Sequence, residues 1–101
     1  MKHYEEKLTY LLRKQKGLCY IAKAKGKIYP ATELHHMLIH NTKTNKKKYP
    51  LLINSVWNLV AVSNKYHLMY PSFGRCSYLN ANKIESFLQR HPMIAAAVNM
   101  T

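Results

Sequence analysis

Acidic residues are scarce in this chain. Asp plus Glu total 4 against 16 Lys plus Arg in 101 residues, a formal net charge of +12. So large a bias strains the compact state by self-repulsion and points to a polyanionic partner, either nucleic acid or an acidic membrane surface. Long apolar runs are also missing. No stretch approaches the ~20 residues needed to span a bilayer, and Met1-Lys2-His3-Tyr4-Glu5-Glu6 lacks the apolar core of a signal peptide. The expectation is a cytoplasmic protein with no membrane partner, for which nucleic acid is the natural polyanion. Cysteine is limited to Cys19 and Cys76. In a reducing compartment both should be free thiols, and two separated cysteines exclude a four-thiolate zinc site. Phe is rare, with 2 against 8 Tyr, so tyrosines must cover much of the core while hydrogen-bonding at its edge. The length fits a single domain over 1–101 with one modest core.

Along the chain, Tyr4, Leu8, Leu11 and Leu12 recur at helical spacing and predict a helix over 3–15, with acids first, bases last and Gly17 as its stop. Leu18-Cys19-Tyr20-Ile21 and Ile28-Tyr29, around a turn at Gly26, predict a short hairpin limited by Pro30. Ala31 to His36 reads as a strand. Residues 40–50 lack periodicity and read as a long basic loop, of the kind that is often functional. Leu51-Leu52-Ile53 anchors the chain on the core, Asn54-Ser55 starts a turn, and Trp57 should bury much of its ring. Asn58 to Val62 is a second strand, with Asn58, Val60 and Val62 on one face. Ser63 caps a helix from Asn64 to about Tyr70, closed by Pro71. Asn80 or Asn82 begins a helix bearing Ile84, Phe87 and Leu88, and Met93 to Val98 adds a helical turn or two.

The stretch that organises the chain runs from Glu33-Leu34-His35-His36 to Asn58 and His67, the last two nine residues apart. Strand, loop, strand and helix, with histidines at both ends and an asparagine between, resembles the catalytic motif of HNH endonucleases, the ββα-metal (His-Me finger) nucleases. The four residues 33–36 are most similar to the colicin DNases of that superfamily. The resemblance covers roughly a third of the chain. It implies an α+β fold whose ββα-metal core, about 31–70, is flanked by the N-terminal helix, the hairpin and the C-terminal helices. It also implies a metal-dependent DNA endonuclease that hydrolyses phosphodiesters, nicking or cutting both strands, with a histidine base and one divalent metal.

By the same resemblance, His36 is the general base and Asn58 braces the motif and helps orient it. His35 and His67 are the metal ligands, and Glu33 is a supporting acid that holds a histidine in its tautomer. A neutral histidine suits proton abstraction near pH 7. His35 and His36 would point to opposite faces of a regular strand, so the strand should end or bend at His36. Colicin-type members place a further histidine one turn after the last motif histidine, where this chain has Pro71. Two imidazoles would then hold the ion, with DNA oxygens and water completing its shell. Mg²⁺ or Mn²⁺ is the working ion, with Ni²⁺ or Zn²⁺ as alternatives because imidazole favours softer ions. Many HNH proteins carry a zinc-binding cysteine quartet. Only Cys19 survives of the positions Cys19, Ala22, Ser63 and Tyr66, so no structural zinc is expected.

Lys43, Lys46, Lys47 and Lys48 are the candidate DNA-binding residues, with Arg75 a weaker phosphate contact. The bland readings stand beside these. A histidine pair on a strand is ordinarily surface or satisfied core, and a lysine run is ordinarily a solvated loop. His40 reads as a loop histidine or phosphate contact, and His3 and His91 as surface residues. The expected partner is DNA; with no room for a separate recognition domain, the chain should show low sequence specificity, recognise a DNA structure, or borrow targeting from a phage or host protein. Free-standing HNH proteins of this size occur in phages and mobile elements. The competing reading is a DNA-binding module on the HNH fold with weak or no catalysis. A basic RNA-binding or assembly protein uses only the charge and leaves the histidines unexplained.

Overall fold

A computed structural model of the chain describes residues 1–37, 39–50 and 52–74, together with 86, 89 and 90. The fold is α+β: among the described residues there are four α-helices and a two-stranded antiparallel sheet, with α1 and α2 packed on β2. The expected C-terminal elements at 80–88 and 93–98 lie outside the described residues, apart from Ser86, Gln89 and Arg90. Arg75 and Cys76 lie outside them too.

Helix α1, Tyr4–Lys14, forms where the apolar spacing predicts it. Leu8 and Leu11 are buried, Glu5 and Glu6 lie in the first turn, and Arg13 and Lys14 in the last. It ends in a left-handed turn at Lys16 and Gly17, where the Gly17 N–H donates to the Leu12 carbonyl at 2.7 Å.

The predicted hairpin is corrected. The chain does return on itself, since Leu18 and Pro30 form an isolated antiparallel bridge. Between them, however, lies helix α2, Tyr20–Ala24. Ala22, Lys23 and Ala24 are strong helix formers, and the Cys19 thiol caps the helix by accepting from the Ala22 N–H. β propensity at Leu18 to Ile21 lost to this local capping. Cys19 is a free thiol, fully buried, and it also accepts from the Ser63 N–H at 3.1 Å.

Strand β1, Glu33–His36, pairs antiparallel with β2, Leu59–Val62, in the register Glu33 to Val62 and His36 to Leu59. A two-stranded sheet is marginal alone, and side chains finish both of its outer edges. On β1, the Leu34 N–H donates to the Tyr4 hydroxyl. On β2, Gln15 imitates a third strand. Its Oε1 accepts from the Ala61 N–H at 2.9 Å and its Nε2 donates to the Ala61 carbonyl at 2.8 Å. The sheet, α1 and α2 enclose one core, which includes Leu11, Ile21, Leu34, Leu59 and Val62.

The excursion between the strands is the second correction. Residues 40–50 are not a featureless loop, because Lys43–Lys48 form helix α3. No residue of α3 is buried, so no apolar period marks it. Its ends hold it: the Thr42 hydroxyl accepts from the Asn45 N–H, and the Tyr49 N–H donates to the Asn45 carbonyl. A small cluster of Ile39, Leu52 and Ile53, with half-buried Tyr49 and Trp57, seats the excursion. Asn58 closes a 3₁₀ turn, Val56–Asn58, so β2 begins at Leu59 rather than at Asn58. Helix α4, Asn64–Met69, starts at Ser63, whose hydroxyl accepts from the Tyr66 N–H. No helix among the described residues is long and apolar enough to cross a membrane.

Candidate functional site

Glu33 and His35 share one face of β1, and α4 packs so that His67 meets them. His67 Nδ1 lies 2.6 Å from Glu33 Oε2. A carboxylate only accepts, so Nδ1–H donates and the lone pair of His67 is carried by Nε2. The other carboxylate oxygen, Oε1, accepts from Asn64 Nδ2 at 3.2 Å, so both oxygens of Glu33 are engaged from α4. The rings of His35 and His67 meet edge to face, with centroids 4.9 Å apart.

His35 is 1% exposed. Its Nε2 lies 2.7 Å from the Phe73 carbonyl, so Nε2–H donates and Nδ1 carries the lone pair. The turn at 71–74 after α4 thus sets the orientation of His35. Gly74 adopts a positive φ, and a Cβ there would overlap the Met37 side chain. The turn and the end of β1 are therefore in close contact.

His36 is the last residue of β1 and faces the other way. Its Nε2 lies 2.9 Å from Asn54 Oδ1. The strand ends at His36, although the Met37 N–H still donates to the Asn58 carbonyl, and His36 is not brought into the Glu33–His35–His67 group.

Asn58 is fully buried. Its Oδ1 accepts from the Ile39 N–H at 2.8 Å, and its Nδ2 donates to the carbonyls of Ile39 and Ile53 at 3.0 and 2.9 Å. One side chain therefore ties the first residues of the excursion to its last. These contacts brace backbone. The side chain seen holding His36 is Asn54, which the sequence gives only as a turn residue. A hint was available in the run Asn54, Ser55, Asn58, where two carboxamides border one turn.

The four lysines of α3 are all exposed. Lys43 and Lys47 are one helical turn apart, with Lys46 beside them. A second set of cations lies against tyrosines: Lys25 Nζ sits 4.6 Å from the centre of the Tyr70 ring, and Lys65 Nζ sits 5.5 Å from that of Tyr29. A groove of about 600 Å³ between α1, α2 and the Val56–Asn58 turn is lined by Leu11, Tyr20 and Trp57 among others. None of the three motif histidines lines it.

The donor chemistry suits a divalent cation held by two imidazoles. The ring centres are 4.9 Å apart and the rings meet edge to face, which brings the two imidazoles into contact. A carboxylate on the far nitrogen of a ligating histidine is the usual device for fixing its tautomer and raising its basicity, and Glu33 is so placed on His67. Among the described residues, no group of three or more His, Cys, Asp or Glu side chains has the arrangement to hold an ion.

Comparison with protein-family models, with curated proteins and with solved structures returns no significant match.

Proposed function

We propose that this chain is a metal-dependent DNA endonuclease of the HNH type, built on a ββα-metal core formed by β1, β2 and α4. The observation that carries the reading is the Glu33–His67–His35 constellation, in which a carboxylate orients one imidazole and a second imidazole lies 4.9 Å away, centre to centre. Strand pairing and helix capping bring these residues together from sites over thirty positions apart, and a surface histidine pair would need no such support.

In this reading His35 and His67 hold one divalent ion, Mg²⁺ or Mn²⁺ by preference, or Ni²⁺ or Zn²⁺. When bound, the ion supplies Lewis-acid stabilisation of the phosphate and of the leaving 3′ oxygen. Glu33 keeps Nε2 of His67 available for ligation. His36 takes the proton from the attacking water at Nδ1 while its Nε2–H is held by Asn54. Asn58 fixes the backbone on both sides of the excursion and so fixes the end of β1. The lysines of α3 hold the DNA backbone, a sequence-independent attraction that suits a chain of +12 net charge.

A DNA-binding module without turnover is favoured by one observation. His35 is 1% exposed with its Nε2 given to the Phe73 carbonyl, so the imidazole would have to leave the core or exchange that carbonyl to ligate an ion. Supercoiled-plasmid nicking, with and without EDTA and across the four metals, decides between the two. The endonuclease converts supercoiled plasmid to nicked or linear forms with at least one metal and not in EDTA. A protein that retards DNA but never cuts it is the module.

A further inference from the structure

We infer that Asn54 is the positioning residue of the base, fixing which nitrogen of His36 accepts the proton, and that Lys7 of α1 holds Asn54 in place. This rests on the reading of His36 as the base.

A neutral imidazole carries one N–H and one lone pair, and the partner of one nitrogen decides the role of the other. Asn54 Oδ1, 2.9 Å from His36 Nε2, is a carbonyl oxygen that only accepts. The proton is therefore drawn to Nε2, and the lone pair to Nδ1. The carboxamide also fixes the plane of the ring, which no strand hydrogen bond can do.

Asn54 is itself anchored. Its backbone carbonyl accepts from Lys7 Nζ at 2.6 Å, a contact spanning 47 residues. Its neighbours are fixed as well. Ile53 is buried, its N–H donates to the Tyr49 carbonyl, and its carbonyl accepts from Asn58 Nδ2. The Ser55 N–H and hydroxyl both donate to the Leu52 carbonyl. Asn54 is thus the half-buried point of a turn pinned on three sides, and its side chain reaches the end of β1. The N-terminal helix, remote from the motif in sequence, becomes part of the catalytic frame.

The test uses the full chain and two readouts. The first is the imidazole ¹⁵N spectrum of His36 at a pH where the ring is neutral. Wild type should show a protonated Nε2 and a lone-pair Nδ1. Asn54→Leu, which keeps bulk and removes the acceptor, should move both shifts toward the average of exchanging tautomers. Asn54→Asp, which keeps an acceptor, should restore the wild-type pattern. The second readout is nicking kinetics. In Asn54→Leu, kcat should fall about 10- to 100-fold with KM within about twofold, the signature of a misplaced group rather than weakened binding. Asn54→Asp should recover most of kcat, and Lys7→Met should lower kcat by a smaller factor. An Asn54→Leu protein with wild-type shifts and wild-type kcat overturns the inference, as does a wild-type His36 protonated at Nδ1. If wild type never nicks DNA, the functional reading fails instead, and the ¹⁵N pattern still decides whether Asn54 sets the tautomer.

Discussion

Glu33 on β1 and His67 on α4, thirty-four residues apart, are joined by a 2.6 Å hydrogen bond from Nδ1 to Oε2. Both side chains are only about a quarter exposed (28% and 29%), and Asn64 engages the second carboxylate oxygen. The pair does for His67 what a supporting acid does for a metal-bound histidine: it fixes tautomer and ring plane. Glu33→Ala should weaken Mn²⁺ or Zn²⁺ affinity by about 10- to 100-fold, measured by calorimetry. Excess metal should recover part of the nicking rate. Unchanged affinity would reduce the pair to a local surface contact.

Asn58 makes three buried hydrogen bonds across the excursion. Asn58→Ala strands the N–H of Ile39 and two carbonyls, at about 1–3 kcal/mol for each group that water cannot reach. A loss of about 3 kcal/mol in urea unfolding is expected. Asn58→Asp keeps the acceptor for Ile39 and loses both donors, so it should also destabilise. A loss under about 0.5 kcal/mol in Asn58→Ala would show that the excursion does not depend on this residue.

Gln15 serves the fold rather than the site. Its carboxamide completes the outer edge of β2 at Ala61, which is fully buried. Gln15→Leu fills the space and satisfies neither backbone group, so a loss of about 2 kcal/mol is expected. Gln15→Glu keeps only the acceptor and should fall between. Thermal unfolding of the three proteins tests the order.

Some of this was legible in the residues. The period of Tyr4, Leu8, Leu11 and Leu12 located α1, and the Ser63 cap located α4, because one apolar face or one hydroxyl suffices to set those boundaries. Two successive histidines assigned to one phosphate led to a strand that ends or bends at His36, and β1 ends there. Helix α3 was not legible by the same logic: Lys43–Lys48 bury nothing, and only Thr42 as a cap and Asn45 beside it mark its start. Helix α2 was hidden because Cys19 is an unusual cap and Tyr20-Ile21 favours strand. The partner of His36 depends on a turn eighteen residues on, whose placement comes from Lys7 and Asn58. No local pattern encodes that meeting.

The α3 lysines carry a separate prediction. All four are exposed, and three lie in the last turn of the helix. Replacing Lys46, Lys47 and Lys48 with Ala should leave folding unchanged and lower DNA affinity. The slope of log K against log salt should shrink by about 0.9 for each phosphate that is no longer neutralised. Fluorescence anisotropy across salt concentrations measures it, and an unchanged slope would mark the lysines as a solvated face.

The most direct measurement compares His35→Ala and His36→Ala, with metal binding and plasmid nicking followed in parallel. His36→Ala leaves both proposed ligands in place, so metal affinity should hold while nicking falls by about 10²–10⁴-fold. His35→Ala removes one of the two proposed ligands, so affinity and nicking should fall together, with partial recovery in excess metal. DNA binding without metal should persist in both. An unimpaired His36→Ala enzyme, or a His35→Ala protein that binds metal and nicks as well as wild type, would contradict the assignment.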